Sequence, residues 1–483
     1  MSGYFLSNFS LTVTLNFLIK LFWVFVIEIA VQNTLGAEEY GVYFESFNFT
    51  YIFYILLDIG LSNYTNRTVA GNPETLHSIF PAIFSIKLLL SVLFLGVIFL
   101  AAQVLNYDER HVQVVMFIGF NQILLSMLLY FRSIIGGLHL FRIDALLSVL
   151  DRLVMGVVCA FLLWFPLKYF QFNLNAYLVV MTLGYGISML IGWALIYRQG
   201  VRMNFVLDRK LMGQILRKAV PFALLFFLMG LYTRIDSVML GRMLEDGEYQ
   251  VGIYASAFRL LDAAIIFAVL LSGLLLPMFS RMISKNEPVL KLVRESFYIV
   301  WIPAVLLPLI VYYYSDFLYP LMYRENHVYG SIIFGLLMIN FMPMALGYIF
   351  GTLLTAKSEL KLLNIISLAG LILNVSLNAL LIPHWQAKGA VIATIATQSL
   401  VTLCTFAFSL HYFRLPVYEF LHLRVIGYGL LNLLAFYLFH RYMANPALGL
   451  LLAIAVGLVT VPIFRLIRVQ DLKQMVKTAR PTS

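Results

Sequence analysis

The chain has 483 residues, of which 62% are apolar and only 12% charged, with a mean hydropathy of +0.91. Soluble domains carry about 25% charged residues, so this composition excludes a water-soluble globule. The net charge of +10 therefore points to basic loops beside membrane spans and not to a nucleic-acid partner, and two cysteines in apolar runs, Cys159 and Cys404, exclude a disulfide framework and a CxxC metal site.

A spanning helix needs about 20 mostly apolar residues. Such runs occur in order at 11–33, 42–62, 79–103, 112–131, 145–165, 174–197, 219–240, 251–276, 294–314, 329–355, 361–382, 388–410, 420–440 and 447–466. The first is too long for a signal h-region, holds Lys20 and Glu28 and lacks a small-residue cleavage site, so it reads as a span. The expectation is an all-α, polytopic membrane protein of about 14 transmembrane helices.

The connecting segments set an orientation. With both termini cytoplasmic, 22 Lys and Arg fall in inner segments against 6 in outer ones, as the positive-inside rule requires. No connection exceeds about 20 residues, which leaves no room for a soluble catalytic domain. The longest basic connection, 198–218, divides six spans from eight.

Two segments resemble each other. After span one the chain reads TLGAEEYGVYFESFNFTYIFYILLDIGL, and after span seven MLGRMLEDGEYQVGIYASAFRLLDAAII. Each runs Leu-Gly, an acidic loop, Glu-Tyr, then Gly-x-Tyr: Gly41-Val42-Tyr43 and Gly252-Ile253-Tyr254. Copies six spans apart have the same orientation, as in a parallel repeat about the membrane normal. The expected organisation is two pseudo-symmetric six-helix bundles (1–205 and 206–412), two additional C-terminal helices (413–466) and a basic cytoplasmic tail (467–483) on the lipid surface.

Ionisable residues inside spans face a bundle interior or a hydrated cavity, because facing lipid is costly. Lys20, Lys87, Arg234 and Arg259 are candidate cavity cations, and Arg in particular matches phosphate oxygens through its planar fork. They imply an anionic cargo, with phosphate the natural group. Glu28, Asp236 and Asp262 are candidates for ion pairs with these cations or for hosting a coupling proton or Na⁺. Arg259 and Asp262 share a helix face, whereas Asp58 and Asp151 read as structural. Pro221, Pro303, Pro308 and Pro343 each remove a backbone hydrogen bond inside a span, so each is a candidate hinge or a static kink. No catalytic residue and no metal ligand set is expected.

The runs LGAEEYGVYFESFNFTYIFYILLDIGLSNYTNR and RIDSVMLGRMLEDGEYQVGIYASAFRLLD resemble bacterial polysaccharide-biosynthesis membrane proteins. These are the oligosaccharide flippases, of O-antigen type, in the multidrug/oligosaccharidyl-lipid/polysaccharide (MOP) exporter superfamily. The resemblance implies a two-lobed bundle in a bacterial inner membrane. It would move a polyprenyl-pyrophosphate-linked oligosaccharide to the periplasmic leaflet by alternating access. It also implies a cationic central cavity for the head, a groove by the last two helices for the lipid tail, membrane lipids and a polysaccharide polymerase complex as partners, a monomer, and no cofactor. Arg234, Asp236 and Arg259 lie in the matching motif. Two other readings remain open. A multidrug/cation antiporter of the same superfamily would need a cavity dominated by acids. A membrane-embedded polymerase, ligase or acyltransferase would need a general acid or base, and most histidines fall in loops or at span ends.

Overall fold

The computed structural model describes residues 18–19, 21–165, 170–201, 206, 209–325 and 327–466; for 209–212 and 214–223 it describes the backbone alone. Lys20, the tail 467–483 and the Pro221 side chain lie outside the described residues. Among those described there are helices and no strands. This follows from the solvent: lipid offers no hydrogen bonds, so a spanning backbone must satisfy itself within one segment.

The first unit, Met1–Gly241, opens with a π-helical turn, Trp23–Glu28, leading into α1 (Ile29–Ile52). α1 is two helices joined at Gly36, where φ is 81° and ψ 167°, a backbone region essentially restricted to glycine. The chain doubles back there. The Tyr40 hydroxyl donates to Glu28 Oε1 at 2.7 Å, although the intervening residues in a straight helix would span about 18 Å. The Leu35-Gly36 junction of the repeat thus closes a helical hairpin from the first two predicted runs.

The second run is itself broken near its end. A 3₁₀ turn at Tyr54–Leu57 is followed by left-handed Ile59 and Gly60, with φ of 42° and 78°, before α2 (Leu61–Gly71). Then come α3 (Leu76–Val104), α4 (Glu109–Gly137), α5 (Phe141–Trp164), α6 (Leu174–Tyr197) and α7 (Arg209–Met243). One core cluster includes Phe80, Tyr130 and Phe131, with Trp193 packed against it. Another gathers Phe49, Ile52, Phe94, Ile98, Val115 and Val238, with Phe227 and Ile235 beside it. α7 therefore packs on helices that precede it, and the chain divides after Gly241. Among the eleven helices of spanning length and hydropathy, α4 is the most enclosed, with 67% of its apolar window buried.

The second unit, Arg242–Ser483, holds α8 (Gly247–Ser284), α9 (Leu290–Met322), α10 (His327–Ile339), α11 (Phe341–Ala356), α12 (Leu360–Phe413), α13 (Leu423–Tyr442) and α14 (Pro446–Ile463). α9 contains Pro303 and Pro308 and leaves helical geometry at Tyr314, with φ −115° and ψ 20°. Pro343 falls in the first turn after Asn340, which separates α10 from α11. Its carbonyl accepts from Thr402 Oγ1 at 2.7 Å. α12 has 54 residues, which unbroken would reach about 80 Å across an apolar layer of about 30 Å. It reverses instead at Gln386, with φ 51° and ψ −133°. A Cβ on Gly389 would lie 2.5 Å from the Leu381 carbonyl oxygen, so the two arms touch where only a glycine fits. The last two helices form another hairpin: the Tyr428 hydroxyl donates to the Gly457 carbonyl at 3.3 Å, and Asn432 Nδ2 to Thr460 Oγ1 at 3.2 Å.

Among the described residues, eleven helices are long and apolar enough to cross a membrane. One of them, α12, contains two of the predicted runs, and the first two runs lie ahead of all eleven, the first only partly within the described residues. The fourteen predicted spans are thus an approximate count. Large apolar side chains face outward throughout, such as Val92 at 71% exposed and Leu423 at 85%. Such surfaces suit lipid, not water, and the chain is a multi-pass membrane protein.

Replacing Gly36 with alanine forces a Cβ into this glycine-only geometry, at a cost of about 1–3 kcal/mol. The purified Gly36→Ala protein should melt at a lower temperature than the parent in the same detergent. An unchanged melting curve would mean that the hairpin closes without this backbone geometry.

Candidate functional site: charged side chains within the spans

In the first unit the break after Tyr54–Leu57 exposes main-chain oxygen inside an apolar bundle, and Lys87 of α3 meets it. Lys87 Nζ donates to the Leu57 carbonyl at 2.9 Å, to Asp58 Oδ1 at 3.0 Å and to Ser126 Oγ at 2.9 Å. An ammonium has three protons to give, so each finds an acceptor. Ser126 Oγ in turn donates to the Leu57 carbonyl at 3.2 Å. The Asp58 carboxylate also accepts from the Ser62 hydroxyl at 2.5 Å, at the start of α2. Side-chain exposure is 1% for Lys87 and 26% for Asp58. Lys87 is thus held by its own counter-ion, Asp58.

Glu28 is buried at the end of the π-helical turn, a departure from α-helix that recurs at functional sites. Arg152, on α5, lies over the rings of Trp23 at 5.1 Å and Tyr185 at 5.9 Å. Its Nε is 3.8 Å from Asp151 Oδ2. Stacking of this kind lets a guanidinium sit in a desolvated place.

Arg234 is half-buried on α7. Its Nη1 donates to Asn48 Oδ1 at 3.4 Å, and the guanidinium lies 5.4 Å from the centre of the Tyr51 ring. Asn48 is itself fixed, donating to Ser237 Oγ at 3.1 Å and the Phe44 carbonyl at 2.9 Å. Asp236 is buried. Further along α7, Gly241 of the second Leu-Gly stays helical, unlike Gly36. Its glycine serves a different need: a Cβ there would overlap the Glu45 carboxylate, which is buried and accepts from the Tyr107 hydroxyl at 2.7 Å.

In the second unit, Arg259 and Asp262 are both half-buried on α8. Nearby on the same helix Tyr254 is buried, its hydroxyl 3.5 Å from Thr394 Oγ1. Asn374 and Asn378 of α12 are fully buried, and Asn378 Nδ2 donates to Asn374 Oδ1 at 3.0 Å.

The sequence reading overlooked Asn48, Ser126, Arg152, Asn374 and Asn378 as site-forming groups. The signal that would have found the amides is an Asn inside an otherwise apolar run. It carries no formal charge and is easily passed over, yet burying it demands a partner. His111 lies at a span end. It is buried at the start of α4 and bonded to the Asp108 carboxylate. Partial burial pushes Asp108 up, but the bonds from His111 outweigh it and hold this acid below its ordinary range.

The profile of the family described as polysaccharide biosynthesis protein matches residues 5–283. Among curated proteins none matches the chain. Solved structures share the fold. The lipid II flippase MurJ, in an inward closed conformation, superposes with a TM-score of 0.71 at 13% identity, over 96% of this chain and 99% of that one. An inward-facing multidrug resistance MATE family transporter of the MOP superfamily gives 0.63 at 14% identity, over 83% and 98%. A mutant of the Vibrio cholerae MATE transporter VcmN gives 0.57 at 16% identity, over 86% and 98%.

The unequal burial of Lys87 and Asp58 predicts unequal mutational costs. Asp58→Asn leaves a fully buried ammonium without its carboxylate, which costs about 3–5 kcal/mol. Lys87→Met leaves a partly exposed carboxylate that still bonds Ser62, and should cost less. Thermal melts of the two variants and of the double variant should rank Asp58→Asn as least stable. The opposite order would place the buried charge on the acid.

Proposed function

Because the chain belongs to the polysaccharide biosynthesis protein family, we propose that it is a flippase for a polyprenyl-pyrophosphate-linked oligosaccharide. It carries this lipid from the cytoplasmic to the periplasmic leaflet of a bacterial inner membrane by alternating access, with both termini cytoplasmic. The observation that carries the reading is Arg234: a guanidinium half-buried in an apolar helix, beside Asn48 and Tyr51. A planar fork of donors in a low-dielectric setting suits phosphate oxygens, and pyrophosphate is the part of such a lipid that bare hydrocarbon rejects.

Arg234 and Arg259 are the proposed cations for the head group, with Lys20 a third. Lys87 joins them only in a conformation that releases it from Asp58. Glu28, Asp236 and Asp262 are the proposed acids for coupling to a proton or Na⁺ gradient or for holding the cations. Pro303, Pro308 and Pro343, with Pro221, are proposed flexure points. The tail stays in lipid, along the apolar outer faces of α13 and α14, where Leu430, Leu451 and Val459 are exposed. The similarity in fold to a lipid II flippase supports movement of a lipid-linked sugar in general, and a polysaccharide polymerase complex would consume the product. The chain acts as a carrier, not as an enzyme.

A multidrug/cation antiporter is the second reading, supported by the likeness to MATE-family folds and by buried acids such as Glu28 and Asp236. The arginines in apolar helices weigh against organic cations as cargo, since like charges repel in a low dielectric.

Arg234→Ala and Arg259→Ala should each reduce surface glycan export about tenfold or more, since a hydrogen bond to a charged group contributes ~1.5–3 kcal/mol. Both variants should accumulate in the membrane at parental levels. Parental export in both would remove the head-group role. Asp236→Asn should make export less responsive to collapse of the proton or Na⁺ gradient; an unaltered response would leave this acid no coupling role.

A further inference from the structure

The first copy of the Leu-Gly motif does more than reverse the chain: it builds one wall of a cavity. The cavity encloses about 480 Å³, within the ~300–1,000 Å³ typical of ligand pockets. It lies where three helix ends of the first unit meet: the Gly36 reversal of α1, the start of α4 and the start of α6. By the charge bias of the connections, this is the outer end of the unit.

The lining has a particular chemistry. Phe117 and Phe172 contribute aromatic rings to the lining, Gln113 and Asn175 contribute amides that can both donate and accept, and Glu39 and Arg110 line it as well. The last two form an ion pair with each other, joining the α1 reversal to α4. Their charges offset, so the pocket is not built for a free anion or a free cation. Aromatic rings among groups that exchange hydrogen bonds in both directions suit a neutral ligand with one apolar face and a rim of hydroxyls, which describes a pyranose ring. Phe172 is itself held in place, its ring tilted at 53° and 6.4 Å from that of Tyr177. Asn173 fixes the adjoining helix start by accepting from the Ala176 amide at 2.9 Å.

We propose that this pocket binds uncharged sugar units of the transported oligosaccharide, apart from the site for its pyrophosphate. The inference rests on the flippase reading for the source of its ligand. It gives the acidic hairpin of the first repeat a role, and it gives the sugar chain a foothold at the side where the lipid is delivered.

The test uses the purified full chain in detergent and two probes. The first is the reducing oligosaccharide released by mild acid from the lipid-linked pool of the producing cells, followed by saturation-transfer NMR. The second is farnesyl pyrophosphate, followed by calorimetric titration. The parent protein should transfer saturation to sugar ring protons. Phe172→Ala and Gln113→Ala should each weaken that binding at least about fivefold and leave farnesyl pyrophosphate affinity within about twofold. Three results overturn the pocket: no transfer to the oligosaccharide in the parent, parental transfer in both variants, or an equal loss of both probes. Sugar binding that depends on Phe172 and Gln113, without any binding of farnesyl pyrophosphate, upholds the pocket and removes the head-group reading instead.

Discussion

Inside an apolar layer no water solvates a carbonyl or an ammonium, so any interruption of a helix must be met by a side chain from elsewhere in the bundle. The Lys87 cluster is the fullest instance. One ammonium takes up the Leu57 carbonyl, the Asp58 carboxylate and the Ser126 hydroxyl together. The break in the second run persists because these partners exist. Side-chain bonds also accompany the other interruptions, although at the two reversals they join side chain to side chain. Gly36 sits at a reversal spanned by the Tyr40–Glu28 bond. Gln386 sits at a reversal where its side chain accepts from Gln250 at 3.3 Å. The carbonyl of Pro343, just past the Asn340 interruption, is met by Thr402.

This constraint sorts the charges. A charge at the centre of a membrane helix costs at least ~2.5–3.5 kcal/mol, so each needs a reason to persist. Lys87 with Asp58 repairs a helix break. Arg152 is stacked on Trp23 and Tyr185 beside Asp151. Arg234 sits against the Asn48 amide and the Tyr51 ring. The head-group role is proposed for Arg234 and Arg259, while Lys87 is held by Asp58.

Much of this was legible in the sequence because lipid simplifies the code. Apolar runs of spanning length gave the helices, and the Leu35-Gly36 junction marked a true reversal, since its backbone geometry admits little but glycine. The second Leu-Gly looked alike and was not: Gly241 remains helical, and its missing side chain makes room for Glu45. Local sequence cannot separate these uses, because one is a demand of φ and ψ and the other a demand of a neighbour 196 positions earlier in the chain. Lys87 was visible as a buried cation but not as a paired one. Its partners depend on a break at Ile59–Gly60 that a hydropathy window passes over. Asn48 was missed for the related reason that a neutral amide does not stand out in a charge count.

The proposal assigns Arg234 and Arg259 to carrying a pyrophosphate-linked sugar across the bilayer. Its most direct measurement is leaflet exchange in proteoliposomes holding the parent protein, with fluorescent polyprenyl-pyrophosphate sugar in one leaflet and an organic cation offered in parallel. The account predicts protein-dependent movement of the sugar lipid and none of the cation. Movement of the cation with the sugar lipid left in its original leaflet would contradict it.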